Sequence, residues 1–436
     1  MGENEVISAA LKNAGIAALN EMQQAVLEVG MSKDMLLLSP TGSGKTLAFL
    51  LPLLTTLSYD QDGIQALIIA PSRELALQIE SVFRSLGAGY KITCCYGGHP
   101  LRTEKKNLGH PPAVLIGTPG RILDHLEREN ISFDTVKTLI LDEFDKTLEL
   151  GFTAEMKDIL AHLPNVRRRV LTSATASIDI PAFVRIQKPV KLSFLLKEKS
   201  LKGLSIHLVK SPVPDKLETL YALLGELRGG SALVFCNLRE AVERVSSYLT
   251  ERNIENECFH GGMEQLDRER ALAKFRNGTA VVFISTDLAA RGLDIPEVKN
   301  VIHYHLPVNE EAYIHRNGRT ARMDKEGDAY LILNEKEFIP EYVDPLPDEF
   351  FLPMQAKDPL PSEWATLTIN RGKRDKLSKK DVVGFLFQKG GLEKEEIGMV
   401  EVRESYSFAA VKRMRLASVL KKIKDEKIKN MKAKFS

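Results

Sequence analysis

Residues 39–46 read Ser39-Pro40-Thr41-Gly42-Ser43-Gly44-Lys45-Thr46. They lie between the apolar run MLLLS (35–39) and the helical run TLAFLLPLLTTL (46–57). A glycine-rich turn between a strand and a helix points backbone N–H groups and a helix N-terminus at an anion. In such a loop Lys45 neutralises phosphate charge and Thr46 reaches a magnesium ion. A plain glycine turn explains the glycines but not the Gly44-Lys45-Thr46 order after a strand. The stretch therefore predicts a nucleoside triphosphate site, with Thr41, Gly42, Ser43, Gly44, Lys45 and Thr46 around the phosphates.

Outward from this loop the chain repeats one pattern. Short apolar runs that suit buried parallel strands, ALIIA at 66, ITCCY at 92, AVLIG at 113, TLILD at 138 and RVLT at 169, alternate with helical segments. A second series follows KEKSLKG: SIHLV at 205, SALVFC at 231, AVVFIS at 280, NVIHY at 300 and DAYLIL at 328. The expected fold class is α/β, with two tandem doubly wound parallel-sheet domains over 1–200 and 201–340. Residues 341–364 are rich in proline and acid and read as a connector packed by its aromatics. The remainder, 365–436, reads as β-α-β-β-α-β, a small α+β domain of RNA-recognition-motif (RRM-like) topology.

The 436 residues carry a formal charge of +2, but this average hides an asymmetry. From 366 to 436 there are 19 Lys+Arg against 9 Asp+Glu, a net of +10, which leaves −8 for the rest. A basic C-terminal segment on a mildly acidic body points to a polyanion partner. The four cysteines show neither a CxxC pair nor zinc spacing with histidine and read as reduced core residues. No run of about 18 apolar residues occurs, and the N-terminus lacks a basic region ahead of its apolar residues. A cytoplasmic protein with no membrane partner is the expectation.

At the end of TLILD stand Asp142-Glu143-Phe144-Asp145, and at the end of the next strand Ser173-Ala174-Thr175. Ligands in open parallel sheets bind at the carboxyl ends of the strands. Asp142 is thus a candidate for holding Mg²⁺ through ATP with Thr46, and Glu143 for orienting and deprotonating the attacking water.

Together these motifs resemble the DEAD-box RNA helicases along essentially the whole chain. That resemblance implies two RecA-like domains, ATP and Mg²⁺ as cofactors, RNA as partner and a monomeric enzyme that hydrolyses ATP to part short duplexes. The alternative is an ATP-gated RNA clamp that remodels RNA–protein complexes. GIAALNEMQ, ending at Gln23, resembles the family's adenine-reading motif. Pro71-Ser72-Arg73, Gly97-Gly98 and Thr118-Pro119-Gly120-Arg121 resemble its RNA contacts, implying roles for Pro71, Arg73, Gly98, Thr118 and Arg121. In the second half, HGG with Gly262, then Gln265 and Arg268, and Thr286 resemble positions that grip RNA backbone.

Asp294 in ARGLD is implied at the ATP ribose, and HRNGRTAR implies catalytic arginines at Arg319 and Arg322, which join Lys45, Asp142 and Glu143. Asp145, Ser173, Thr175 and His315 are implied to couple the domains. Against the family pattern, Leu19-Asn20 replaces Pro-Thr, Phe144 replaces Ala, Ala321 replaces Gly, and the first aromatic is Phe49. Residues 369–402 resemble the C-terminal domain of the DbpA-type members, implying a target in large-subunit ribosomal RNA and a role in ribosome assembly. Arg371, Lys373, Arg374 and Lys376 are expected on RNA phosphates. Tyr406 and Phe408, alternating on one strand, could stack bases or simply fill the core.

Overall fold

The computed structural model describes all residues except 1, 41, 99, 176–178, 196–202, 288–297, 321–325, 354 and 356, and the side chain of residue 3. The chain divides into two units, one formed by residues 1–200 and the other by the bulk of 201–436.

The first unit begins with helices α1 (Glu3–Ala14) and α2 (Glu21–Val29) and continues as β1 (Met35–Leu38), α3 (Lys45–Leu54), β2 (Ala66–Ile69), α4 (Arg73–Ser85), β3 (Ile92–Cys95), α5 (Leu101–Leu108), β4 (Val114–Gly117), α6 (Pro119–Glu127), β5 (Thr138–Leu141), α7 (Phe144–Glu149), α8 (Thr153–Ala161), β6 (Arg168–Ser173) and β7 (Val190–Ser193). The strands form one parallel sheet in the order β3-β4-β2-β5-β6-β1-β7. Its central strands are apolar along their whole length because both faces are covered. Met35 and Leu37 enter one core with Phe49, Leu50 and Ile79, while Leu36 and Leu38 enter the other with Ile122, Phe144 and Met156. Edge strand β7, VKLS, is half-exposed, and its polar alternation hid it from the hydrophobic pattern.

The second unit runs β8 (Leu204–Ser211), α9 (Leu217–Glu226), β9 (Ala232–Cys236), α10 (Arg239–Glu251), β10 (Asn256–Phe259), α11 (Gln265–Arg276), β11 (Val282–Thr286), β12 (Asn300–His303), α12 (Glu310–Asn317), β13 (Gly327–Asn334) and β14 (Asp348–Glu349), with sheet order β10-β11-β9-β12-β13-β8-β14. Strand β14 comes from the proline-rich stretch, which lies along this sheet as a connector packed by its aromatics. Phe350 and Leu352 pack on its core, and Tyr221 donates its hydroxyl to Asp358 at 2.6 Å.

A three-stranded antiparallel sheet follows, β15 (Trp364–Ile369), β16 (Ile397–Val402) and β17 (Ser407–Lys412) in the order β15-β17-β16, with α13 (Lys379–Phe385) and α14 (Arg413–Ile423) on one face. Leu367, Ile369, Val400, Ala409 and Val411 point to those helices and form the small core. The expected last strand, KAKF, is reduced to a bridge between Ile369 and Phe435, flanked by backbone hydrogen bonds between Thr368 and Ser436. Its lysines and short length leave little apolar surface to extend the pairing. The opposite sheet face is not open to solvent. Thr366 bonds Asn277 (2.8 Å) and Thr279 (2.7 Å) of the preceding α/β fold, and Arg413 forms a two-pronged ion pair with Glu255.

Candidate nucleotide and RNA sites

Strand register places all the motifs of the first unit on one sheet edge. Leu38 pairs with Ser173, Leu141 with Leu171 and Ile69, and Ile69 with Gly117, so the loops that follow β1, β5, β2 and β4 emerge together. The phosphate loop and Asp142–Asp145 occupy the β5-β6-β1 half, and the expected RNA contacts occupy the β3-β4-β2 half.

In the phosphate loop Gly44 adopts φ 90°, a conformation that favours glycine, immediately before α3. Lys45 Nζ donates to the carbonyls of Ser39 (2.7 Å) and Pro40 (2.9 Å), which keeps the ammonium inside the loop. Gln23 Nε2 donates to the carbonyl of Gly44 at 3.3 Å, and Asn20 Nδ2 donates to that of Ser43 at 3.0 Å. A methyl on Gly44 would come within 2.5 Å of the Gln23 amide. Asn20 and Gln23 also cap α2 reciprocally, each side-chain oxygen accepting the other residue's N–H. Asn20 thus performs a capping role despite departing from the family pattern, and Gln23 ties helix α2 to the phosphate loop. Thr41 lies outside the described residues.

Asp142 is 2% exposed and accepts from the Thr172 hydroxyl at 2.5 Å. Burial pushes its carboxyl above the ordinary range, while the Thr172 hydrogen bond and the Lys45 charge pull it back. The same Thr172 oxygen accepts the Glu143 N–H at 3.0 Å. Glu143 has φ 47° and ψ 52°, a left-handed conformation that a glutamate adopts at a cost of order 1–3 kcal/mol. Such strain persists where the surroundings overdetermine it, and here Thr172 and the buried Phe144 hold both sides. Phe144 is fully buried in the core beneath the motif, so the larger residue fills interior space and leaves the carboxylates in place. Asp145 Oδ2 accepts from the Ala174 N–H and the Thr175 hydroxyl, each at 3.3 Å, and Ser173 Oγ accepts the Thr175 N–H at 2.9 Å. Asp145, Ser173 and Thr175 therefore form one connected group.

On the other half, the Arg73 guanidinium lies 3.6 Å from where a Gly97 methyl would stand, bringing the first contact motif to the Gly97-Gly98 turn. Pro71 is buried at the start of that motif and Gly98 is exposed with φ 87°. The Thr118 N–H bonds the Cys95 carbonyl at 3.1 Å. Arg121 donates to Glu104 Oε2 at 3.2 Å. Glu104 is 1% exposed, also accepts the Tyr96 N–H at 3.2 Å, and is bonded by His125 at 2.8 Å. One carboxylate thereby fixes both the Gly97-Gly98 turn and Arg121. The Cys95, Glu104 and His125 donor atoms lie within 4.8 Å of one another, yet Glu104 already accepts three donors and the Cys95 thiol is pushed up by burial. The group thus reads as a clamp, not a metal centre. Nothing in LRTEKKNL distinguished Glu104 from a solvated helix charge.

In the second unit the corresponding motifs also stand at strand ends. Gly262 donates its N–H to His260 Nδ1 at 3.2 Å, Arg268 lies 4.7 Å over the Phe259 ring, and Thr286 closes β11. Arg316 went unremarked in the sequence, and it organises this edge. It is 1% exposed, donates in two-pronged fashion to Asp287 (2.6 and 2.7 Å), and reaches Asn237 Oδ1 (2.7 Å) and the His305 carbonyl (2.6 Å). His315 is 9% exposed beside Glu311, and Arg319 is 2% exposed just past α12. Asp294 and Arg322 lie outside the described residues.

In the C-terminal domain Lys373, Arg374 and Lys376 are exposed and Arg371 half-exposed. For Phe408 the stacking reading is corrected, and the core-filling one describes it. Phe408 is 2% exposed and Tyr406 donates its hydroxyl to Glu269 of α11. Alternation along a strand identified a shared face but not what that face meets.

Comparison with known families agrees along the chain. Residues 20–182 match the DEAD/DEAH box helicase family, 215–324 the helicase conserved C-terminal domain and 366–436 the DbpA RNA binding domain. The chain is 32% identical over 432 residues to the ATP-dependent RNA helicase DbpA of Escherichia coli, spanning 96% of this chain and 94% of that protein. It is 29% identical over 460 residues to DbpA of Bacillus subtilis, spanning 98% and 96%. Among solved structures, S. cerevisiae Dbp5 bound to RNA and ADP BeF3 superimposes with a TM-score of 0.67 at 27% identity, covering 76% of this chain and 88% of that one. Mss116p bound to ssRNA and AMP-PNP gives 0.69 at 25% identity, covering 80% and 77%. With the phosphate loop, the acidic motif and the turns expected to contact RNA on one edge, the chain belongs to the DEAD-box ATP-dependent RNA helicases, in the DbpA group.

Proposed function

We propose that this helicase uses Mg-ATP to part short RNA duplexes in structured large-subunit ribosomal RNA during ribosome assembly, working as a cytoplasmic monomer. The observation that supports the reading is the shared edge of the first sheet, where the phosphate loop and Asp142–Asp145 stand beside the loops that follow β2, β3 and β4. Lys45 and Thr46 hold the phosphates, and Asp142 with Thr46 supplies the hard oxygen donors that Mg²⁺ prefers. A buried carboxylate whose charge is disfavoured by desolvation suits a divalent cation. When bound, the ion neutralises phosphate charge as it develops. Glu143 orients and deprotonates the attacking water, and Arg319 and Arg322 stabilise the transferring phosphoryl group once ATP and RNA are both bound. Gln23 contributes to reading adenine. Pro71, Arg73, Gly98, Thr118, Arg121, Gly262, Arg268 and Thr286 grip one strand by its backbone, independent of sequence. Asp145 with Ser173 and Thr175, together with His315, relays the nucleotide state to the RNA grip.

Targeting is assigned to the basic C-terminal domain, through Arg371, Lys373, Arg374 and Lys376. The experiment is RNA-stimulated ATPase of the intact protein and of Glu143→Gln. The variant is expected to bind ATP and RNA together while turnover falls by at least about 100-fold, as loss of a general base does. Turnover near that of the unaltered protein would remove Glu143 from the chemistry.

A further inference from the structure

Helix α11 carries Gln265 and Arg268, the expected RNA-backbone contacts, near its N-terminus, and Glu269 stands one turn beyond Gln265 on the same helix face. Its two carboxylate oxygens serve different partners. Oε1 accepts from Gln265 Nε2 at 3.2 Å, and Oε2 accepts the Tyr406 hydroxyl at 2.5 Å. Tyr406 belongs to the C-terminal domain, and its ring packs edge-on at 5.3 Å against the buried Phe408. Its position is therefore set by the sheet. The same helix is tied to that domain at its other end. Arg276 approaches Glu401 at 3.8 Å, and Asn277, just past the last turn, bonds Thr366 at 2.8 Å.

We propose that Glu269 is a positioning residue that couples the C-terminal domain to the RNA grip of the second unit, by holding Gln265 through one oxygen and Tyr406 through the other. The proposal rests on the helicase reading above and adds a route by which the targeting domain acts on the core. A hydroxyl-to-carboxylate bond is charge-assisted and directional, so it fixes the Glu269 rotamer. That rotamer in turn fixes which way the Gln265 amide faces. Strand alternation alone made Tyr406 a candidate base platform, whereas its hydroxyl orients a residue that meets the RNA backbone.

The test uses the full chain and reads ATPase against poly(U), a single-stranded RNA without structured elements. Tyr406→Phe removes only the hydroxyl and keeps the ring on Phe408, so folding is preserved. It is expected to raise the half-saturating poly(U) concentration about 5- to 10-fold, less than the full worth of one charge-assisted bond because only the part that orients Gln265 reaches the RNA. The turnover rate at saturating RNA and the KM for ATP stay unchanged. Gln265→Ala has a similar effect on half-saturation, and the double variant is no worse than either alone, because both act through one carboxylate. Glu269→Gln, which still accepts one of the two bonds, loses less than Glu269→Ala. Additive losses in the double variant overturn the coupling. So does a lower Tm for Tyr406→Phe with half-saturation unchanged, since that is the mark of a merely structural contact. If poly(U) does not stimulate the unaltered protein, the same variants are read against a structured ribosomal RNA fragment, and failure of both RNAs to stimulate is a failure of the helicase reading instead.

Discussion

At the scale of single residues the nucleotide site is held in a costly state. Asp142 is buried, and its carboxyl is raised above the ordinary range chiefly by that burial. A carboxylate with a raised folded value opposes folding at every pH above that value, and the penalty is relieved as pH falls through it. Asn has the same shape, and its carbonyl still accepts from Thr172. Asp142→Asn is therefore expected to stabilise the ligand-free protein by about 1 kcal/mol, raising Tm by about 2–4 °C, while abolishing ATP turnover. Differential scanning calorimetry at neutral pH checks the sign, and an unchanged or lower Tm contradicts it. The strained Glu143 backbone belongs to the same pattern, with stability yielded where chemistry needs a fixed carboxylate.

Sequence motifs pointed to candidate ligand-binding residues but not to the residues that hold those candidates in place. The phosphate loop, Asp142–Asp145 and Ser173–Thr175 were legible because local order after a strand specifies them. Thr172, Glu104, Arg316 and Glu269 were not, since each acts on a partner distant in sequence. Arg316 reaches Asp287 and Asn237, 29 and 79 positions away.

At the scale of elements, β12 and α12 are joined through a neutral histidine. His303 is fully buried, its Nε2 bonds Asn317 Oδ1 at 2.9 Å, and its ring stacks between Phe235 and Tyr313. Burial, with the Arg316 charge second, pushes it down from 6.5 to about 3. A depressed folded value means that the unfolded chain takes up the proton first. The stability that His303 contributes is thus complete above pH 6.5 and is lost as pH falls from there toward about 3. One such group gives a slope approaching about 1.4 kcal/mol per pH unit. Urea unfolding at steps between pH 6.5 and 5, above the range where ordinary carboxylates titrate, is expected to show this slope in the parent protein. His303→Gln should flatten it by about that amount, and equal slopes in the two proteins contradict the assignment.

Strand identity was mostly readable at this scale because both main sheets are covered on two faces and read as continuous apolar runs. The exceptions are edges. β7, β10 and β14 are short and carry polar residues, and KAKF is split between a Lys427–Lys432 pairing and a bridge from Phe435 to Ile369.

At the scale of the molecule, the C-terminal domain is fastened to the second α/β fold by its sheet face. The charge pattern could not show this, because +10 of charge says what a domain attracts and not where it sits. Arg413 is one fastener: its ion pair with Glu255 crosses to the α/β fold, while its bonds to the carbonyls of Ser362 (2.6 Å) and Trp364 (2.7 Å), at the start of the C-terminal domain, hold the guanidinium in place. Trp364, the chain's single tryptophan, lies against Gly278 at this junction and reports on it. Arg413→Ala is expected to weaken docking by up to about 1 kcal/mol, because the ion pair that crosses the junction is partly exposed. A red shift of Trp364 emission and faster proteolysis within 350–361 check it, and an unshifted spectrum contradicts it.

The central claim is that ATP hydrolysis in the first unit drives separation of RNA strands. Its most direct measurement is displacement of a labelled strand from a short RNA duplex by the intact protein, with Mg-ATP, with ATP but no divalent ion, and with Glu143→Gln in place of the parent. Displacement is expected with Mg-ATP alone, with loss of multiple-turnover displacement without the divalent ion or in the variant. Brisk RNA-stimulated ATPase with no strand displacement on any short duplex would contradict it and leave an ATP-gated RNA clamp.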